Sequence, residues 1–189
     1  LKSKDEKIKK GRLDVWAFWI SIFSFIIASY FSWQQTELQY EVSKKEFNIG
    51  KSEIISLVSR YAVVTLNQWE LIKTQDGRLN GIFKKDSISI KQYLTECEYI
   101  LEGLRKMESN QFYVQLLSEY PQINLLIMQF QRDIIEQRMR TFSLNENTFT
   151  KFHDLFFFLK EHYMDEVFDT YYFKMADTTY TEVKNKWPK

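Results

Sequence analysis

Apolar positions along this chain fall into two regimes. Between Asp14 and Glu37 lie 22 residues without a single charge. As a helix they reach about 33 Å, enough to cross the hydrocarbon core of a bilayer. From residue 37 onward apolar side chains instead recur at intervals of three and four, the period of helices with one buried face. Residues 34–48 continue out of the uncharged run and predict a helical stalk ending at Gly50. A helix over 51–75 follows, burying Ile55, Val58, Ala62, Leu66, Trp69 and Ile72 and ending at Asp76-Gly77. The stretch Arg78 to Asp86 reads as a loop, with Asn80-Gly81 as a tight turn. The next helix starts near Ser87 or Ser89 and presents Ile90, Leu94, Cys97, Leu101 and Leu104. A short helix over 110–119 precedes Pro121, which suits the first turn of a helix carrying Ile123, Leu126, Ile127, Phe130 and Ile134. The polar run 143–147 offers a further start, followed by Phe149, Phe152, Phe156, Leu159 and Tyr163.

The expected fold is therefore all-α: one transmembrane helix followed by a bundle of four to six helices. The expected segments are a basic tail (1–14), the membrane helix (15–36), the stalk (37–50), the bundle (51–175) and a C-terminal tail (176–189). No repeat period and no linker rich in Pro, Gly or Ser divides the bundle.

Composition sharpens this reading. Aromatic residues make up 17% of the chain, against 5 Gly, 2 Pro and 1 Cys, which excludes collagen-like, low-complexity and disulfide-stapled classes. Trp16 and Trp19 lie near one end of the uncharged run and Tyr30 and Trp33 near the other, as interfacial anchors of a bilayer do. The run is long, bulky at its end and lacks a small-x-small cleavage site, so it reads as a retained anchor and not as a cleaved signal peptide. One side of it carries Ala17, Ser21, Ser24, Ala28 and Ser32 at steps of four, three, four and four. Small residues on one face let helices approach in lipid, so this stripe predicts a self-association seam or the lining of a narrow pore formed by several copies. The first 14 residues carry a net charge of +3 in a chain of total +1, leaving −2 for the remainder. That balance argues against a broad nucleic-acid surface. By itself the basic tail would hold the amino end in the cytoplasm and export the rest of the chain.

Signatures of common catalytic chemistry are missing: no Gly-rich phosphate loop, Cys-x-x-Cys, His-Glu-x-x-His or Gly-x-Ser-x-Gly occurs. No metal or cofactor is expected. His153 and His162 are nine residues apart and point to opposite sides of one helix, so they do not share a metal. His162, beside Glu161 and Asp165, reads as part of a solvated face. His153 borders the Phe149-Phe152-Phe156 stripe, six residues after Asn147, the candidate helix cap, and would face whatever packs against that edge.

An N-terminal membrane helix, a helical domain of about 150 residues and Asn147-x5-His153 at the start of a late helix together resemble the membrane accessory proteins of type VI-B RNA-targeting CRISPR systems. Their helical part is a divergent HEPN domain. HEPN ribonucleases have Arg and His with four to six residues between them; here Thr148, Asn147 and Glu146 stand where the Arg would be. Arg138 and Arg140 lie further upstream, so what the resemblance implies for catalysis is His153 as the acid–base group with Asn147 near the polar position, as HEPN-like candidates without the Arg. The resemblance thus implies a homo-oligomeric pore in the bacterial inner membrane, with its helical domain in the cytoplasm, an orientation opposite to the one that the basic tail alone would give. There it would depolarise the envelope when an RNA-guided nuclease, its functional partner, detects phage. The alternatives are a membrane-tethered HEPN-type ribonuclease using His153 and a bitopic protein-binding scaffold.

Overall fold

The computed structural model describes residues 2–73, 79–84, 89–139, 143–163 and 171–186. Its fold is all-α apart from one β-hairpin: a long N-terminal helix with an apolar segment, then a helical bundle. In order, the elements are α1 (Lys2–Gln68), β1 (Trp69–Lys73), β2 (Leu79–Phe83), α2 (Ile90–Lys106), a 3-10 turn (Met107–Ser109), α3 (Gln111–Glu119), α4 (Gln122–Met139), α5 (Glu146–Tyr163) and α6 (Tyr171–Lys186). The chain divides into two compact units, Leu1–Lys45 and Glu46–Lys189. The first is the amino-terminal part of α1.

Gly50, expected to end the stalk, lies inside α1. A glycine in mid-helix costs about 1 kcal/mol relative to alanine, and its neighbour explains its presence. A Cβ on Gly50 would lie 2.0 Å from Oδ1 of Asn110. That Asn110 oxygen accepts the amide of Phe112 at 2.8 Å and so caps α3, while Nδ2 donates to the Glu46 carbonyl at 3.3 Å. The missing side chain lets the start of α3 dock on α1. Gly103 serves similarly: its Cβ would meet both methyls of Leu57 at 2.8 Å, so α2 approaches α1 closely there.

The helix expected over 51–75 stops at Gln68, and Trp69 begins a strand. Trp69 pairs with Phe83 and Leu71 with Gly81 in an antiparallel ladder, and the Lys84 amide donates to the Gln68 carbonyl at 2.7 Å. Asn80 and Gly81 therefore belong to β2 and not to a turn; Asp76-Gly77 lie outside the described residues. Trp69 faces the core, edge-on to Phe83 at 5.3 Å and to Tyr93 at 6.0 Å. Gly81 leaves room for the Trp69 ring and for Leu144, which a Cβ would meet at 2.8 and 2.9 Å.

Ser89 starts α2 with a reciprocal cap: its Oγ accepts the Gln92 amide at 3.2 Å, and Gln92 Oε1 accepts the Ser89 amide at 3.0 Å. Leu94, Cys97, Leu101 and Leu104 are buried as the spacing predicts, joined by Tyr93 and Ile100. Ile90 is instead exposed at the first position after the cap. α4 buries Ile123, Leu126, Ile127, Phe130 and Ile134, and α5 buries Phe149, Phe152, Phe156 and Leu159. At the centre, Tyr61 of α1 stacks on Phe152 of α5 at 3.8 Å, and Phe130 of α4 stands edge-on to both, at 5.3 and 5.0 Å. The segment expected to be a tail belongs to the fold as far as Lys186: α6 contributes Ala176 and Tyr180 to the core. Phe173 of α6 stacks on Phe156 at 5.3 Å, and Lys160 pairs with Asp177 at 2.5 Å.

Candidate functional site

Two places hold the residues singled out by sequence: the uncharged segment of α1, and the start of α5.

Residues 15–36 are helical throughout, and apart from half-buried Ile22 their large apolar side chains stand exposed, from Phe25 at 73% to Ile27 at 51%. Among the described residues α1 is the one helix long and apolar enough to cross a membrane. Covering such a surface with lipid removes the penalty that water would exact on it. Trp16 and Trp33 are separated by about 25 Å along the axis, close to the hydrocarbon thickness of a bilayer. Trp19 and Tyr30 lie just inside them, and Tyr30 and Trp33 pack at 6.5 Å. Ala17, Ser21, Ser24, Ala28 and Ser32 fall within a sector of about 80°. Two hydroxyls in this segment bond back to the helix: Ser21 Oγ donates to the Ala17 carbonyl at 2.9 Å, and Thr36 Oγ1 to the Ser32 carbonyl at 2.8 Å. A serine bonded back to its own helix is small and compatible with either lipid or a second helix.

At the start of α5 the cap is Asn145, not Asn147. Asn145 Oδ1 accepts the amides of Asn147 at 3.0 Å and Thr148 at 3.4 Å, and its carbonyl accepts the Phe149 amide at 3.0 Å. Its amide nitrogen donates at 2.8 Å to Asp133 of α4, whose other oxygen accepts the Thr148 hydroxyl. Asp133 is only 4% exposed. Burial pushes its carboxyl above the usual carboxylate range, and the two hydrogen bonds oppose that rise without cancelling it. Beside it lies a cavity of about 10 Å³, the room of one water, bordered by Tyr61, Cys97 and Asn145. Burial also pushes the Cys97 thiol up to about 12. Asp133 was missed by sequence reasoning although a signal exists, since it stands three residues after Phe130 on the buried face of α4.

Asn147 is exposed in the first turn of α5, and helix geometry turns His153 about 240° away from it, so the two do not form one site. The His153 side chain is 17% exposed. Its ring packs 4.8 Å from Phe157 and edge-on to Tyr180 of α6 at 5.2 Å, and Nδ1 lies 3.2 Å from Asp154 Oδ1. Arg138 forms an ion pair with Glu98 of α2, and Arg140 lies outside the described residues. His162 stacks on Phe158 at 4.3 Å, its Nδ1 3.0 Å from the Phe158 carbonyl. Among the described residues no three His, Cys, Asp or Glu side chains gather as metal ligands would.

No protein-family model, curated protein or solved structure matches the chain.

Proposed function

We propose that this protein is a membrane effector whose anchor helices associate through the Ala17-Ser21-Ser24-Ala28-Ser32 face and, as an oligomer, permeabilise the bilayer. The observation that carries the reading is a spanning segment with one narrow face of small side chains among bulky ones. A lone helix gains nothing from such a face, whereas two or more helices gain close backbone approach. A single span encloses a path for ions only as an oligomer.

The surroundings of His153 support a packing role, because its ring is enclosed by Phe157 and Tyr180 and Asn147 faces elsewhere. We therefore favour a non-enzymatic protein over a tethered ribonuclease. The likeness in organisation to the type VI-B accessory proteins supports a divergent HEPN-like bundle. It also supports a setting in antiviral defence at a bacterial inner membrane, with the bundle in the cytoplasm and an RNA-guided nuclease as functional partner.

The test is energy transfer between anchors labelled near residue 37 in liposomes. Wild-type chains should show transfer that rises with protein-to-lipid ratio above that of a monomeric control helix. Ser24→Leu and Ala28→Leu should reduce it to the control value while circular dichroism stays unchanged. Equal transfer in wild type and variants would remove the seam from the account.

A further inference from the structure

α4 carries a second apolar face that the core does not use. Its buried residues, from Ile123 to Ile134, centre on one side of the helix. Leu125, Met128, Ile135 and Met139 fall in a sector of about 80° on the opposite side. They are 51%, 63%, 46% and 77% exposed. With Arg132 they recur at three, four, three and four, the spacing of a helix that packs along another helix.

The flanks of this stripe are drawn away from it. Asn124 accepts the Tyr113 hydroxyl at 2.6 Å, Gln129 accepts Lys151 Nζ at 2.7 Å, Gln131 accepts from Arg105, and Arg138 pairs with Glu98. Only Arg132 and Glu136 remain on the stripe and its border as charged groups facing outward. They are 66% and 62% exposed and loosely paired at 3.7 Å.

We infer that this face binds the same face of a second copy, with the two α4 helices antiparallel about a two-fold axis passing between residues 133 and 134. The self-complementary charges select this occupant and this register. With that axis, Met128 meets Met139 of the partner subunit, and Arg132 lies over Ile135 of the partner subunit within reach of Glu136 of the partner subunit. The symmetry repeats each contact, giving two ion pairs across the axis, as an isologous interface requires. Methionine side chains adapt to one another at such a contact, and Arg132 can lay its methylenes on Ile135 while its charge stays at the edge. A parallel pairing would set Arg132 against Arg132. The interface is independent of the anchor seam; if both operate, each chain has two different surfaces for self-association.

Cysteine cross-linking in liposomes tests the geometry, using the full chain with buried Cys97 left in place. Met128→Cys and Met139→Cys proteins, reconstituted together and oxidised, should form a disulfide dimer joining one of each. Neither alone should do so, since equal positions lie about 16 Å apart along the pair. Arg132→Glu or Glu136→Arg, added to both cysteine proteins, should each cut the yield by at least about tenfold, because like charges then meet. The two together should restore it. The mixed disulfide should also form in the Ser24→Leu background, which separates this contact from the anchor seam. No mixed disulfide, a dimer of Met128→Cys with itself, or a yield indifferent to the charge changes would each overturn the inference.

Discussion

Asp133 offers a sharp test of how the bundle is held, because two substitutions at this one position should behave in opposite ways. Its carboxylate receives the Asn145 amide and the Thr148 hydroxyl and so ties the start of α5 to α4. Asp133→Ala removes both acceptors and adds space beside an existing cavity. Hydrogen bonds to a charged group contribute about 1.5–3 kcal/mol each, but relief of the buried charge offsets part of that. The expected net loss is about 2–4 kcal/mol, or roughly 4–16 °C in melting temperature for a chain of this size. Asp133→Asn keeps an oxygen for Asn145, offers an N–H to the Thr148 oxygen, and removes the charge. It should melt at pH 7 no lower than wild type.

The sign of the pH dependence follows from the same site. A carboxyl raised in the folded state contributes stability that is fully present below its unfolded value, about 4, and is lost as pH rises through the folded value. Wild type should therefore lose stability from this group as pH climbs out of the acidic range, and Asp133→Asn should flatten that component. Near-ultraviolet circular dichroism of the full chain in detergent, followed against temperature at several pH values, measures both effects. If Asp133→Asn melts as low as Asp133→Ala, the charge itself holds the cap and the reasoning from burial fails.

Two further outcomes follow from the core. The Cys97 thiol, 2% exposed and pushed up to about 12, should resist maleimide at pH 7.5 in the folded chain and react at once in denaturant; mass spectrometry reads both, and rapid labelling of the folded chain would mean that α2 opens. Gly81→Ala should cost about 1–3 kcal/mol by overpacking against Trp69 and the Leu144 Cβ, seen as a lower melting temperature, and an unchanged value would mean that the hairpin is not fixed on the bundle.

The helices α2 to α5 were legible because each announces itself locally. Ser89 and the run before Glu146 supply starts, and the three-four spacing of Leu94 to Leu104 and of Phe149 to Leu159 marks the buried face. The hairpin was not legible, since Trp69 and Ile72 continue the helical spacing of Leu66 as well as Trp69 and Leu71 alternate with Glu70 and Ile72. What decides for a strand is pairing with residues 79–83, a contact that no local pattern reveals. Gly50 misled for a related reason: its partner Asn110 is sixty residues away in sequence. At the start of α5 two asparagines compete for the cap, and only the buried Asp133 opposite Asn145 selects between them. The exposed stripe of α4 was hidden because the helix is apolar on two opposite sides, so its buried face alone accounted for the spacing.

Leakage is the most direct measurement of the central claim. Full-length protein, sized first in detergent, is reconstituted into liposomes holding a self-quenched dye, alongside the Ser24→Leu/Ala28→Leu variant, which keeps a spanning helix without the seam. An oligomer that releases dye, with the variant silent at equal incorporation, is the predicted result. A monomer in sealed liposomes, or equal leakage from both proteins, would contradict it.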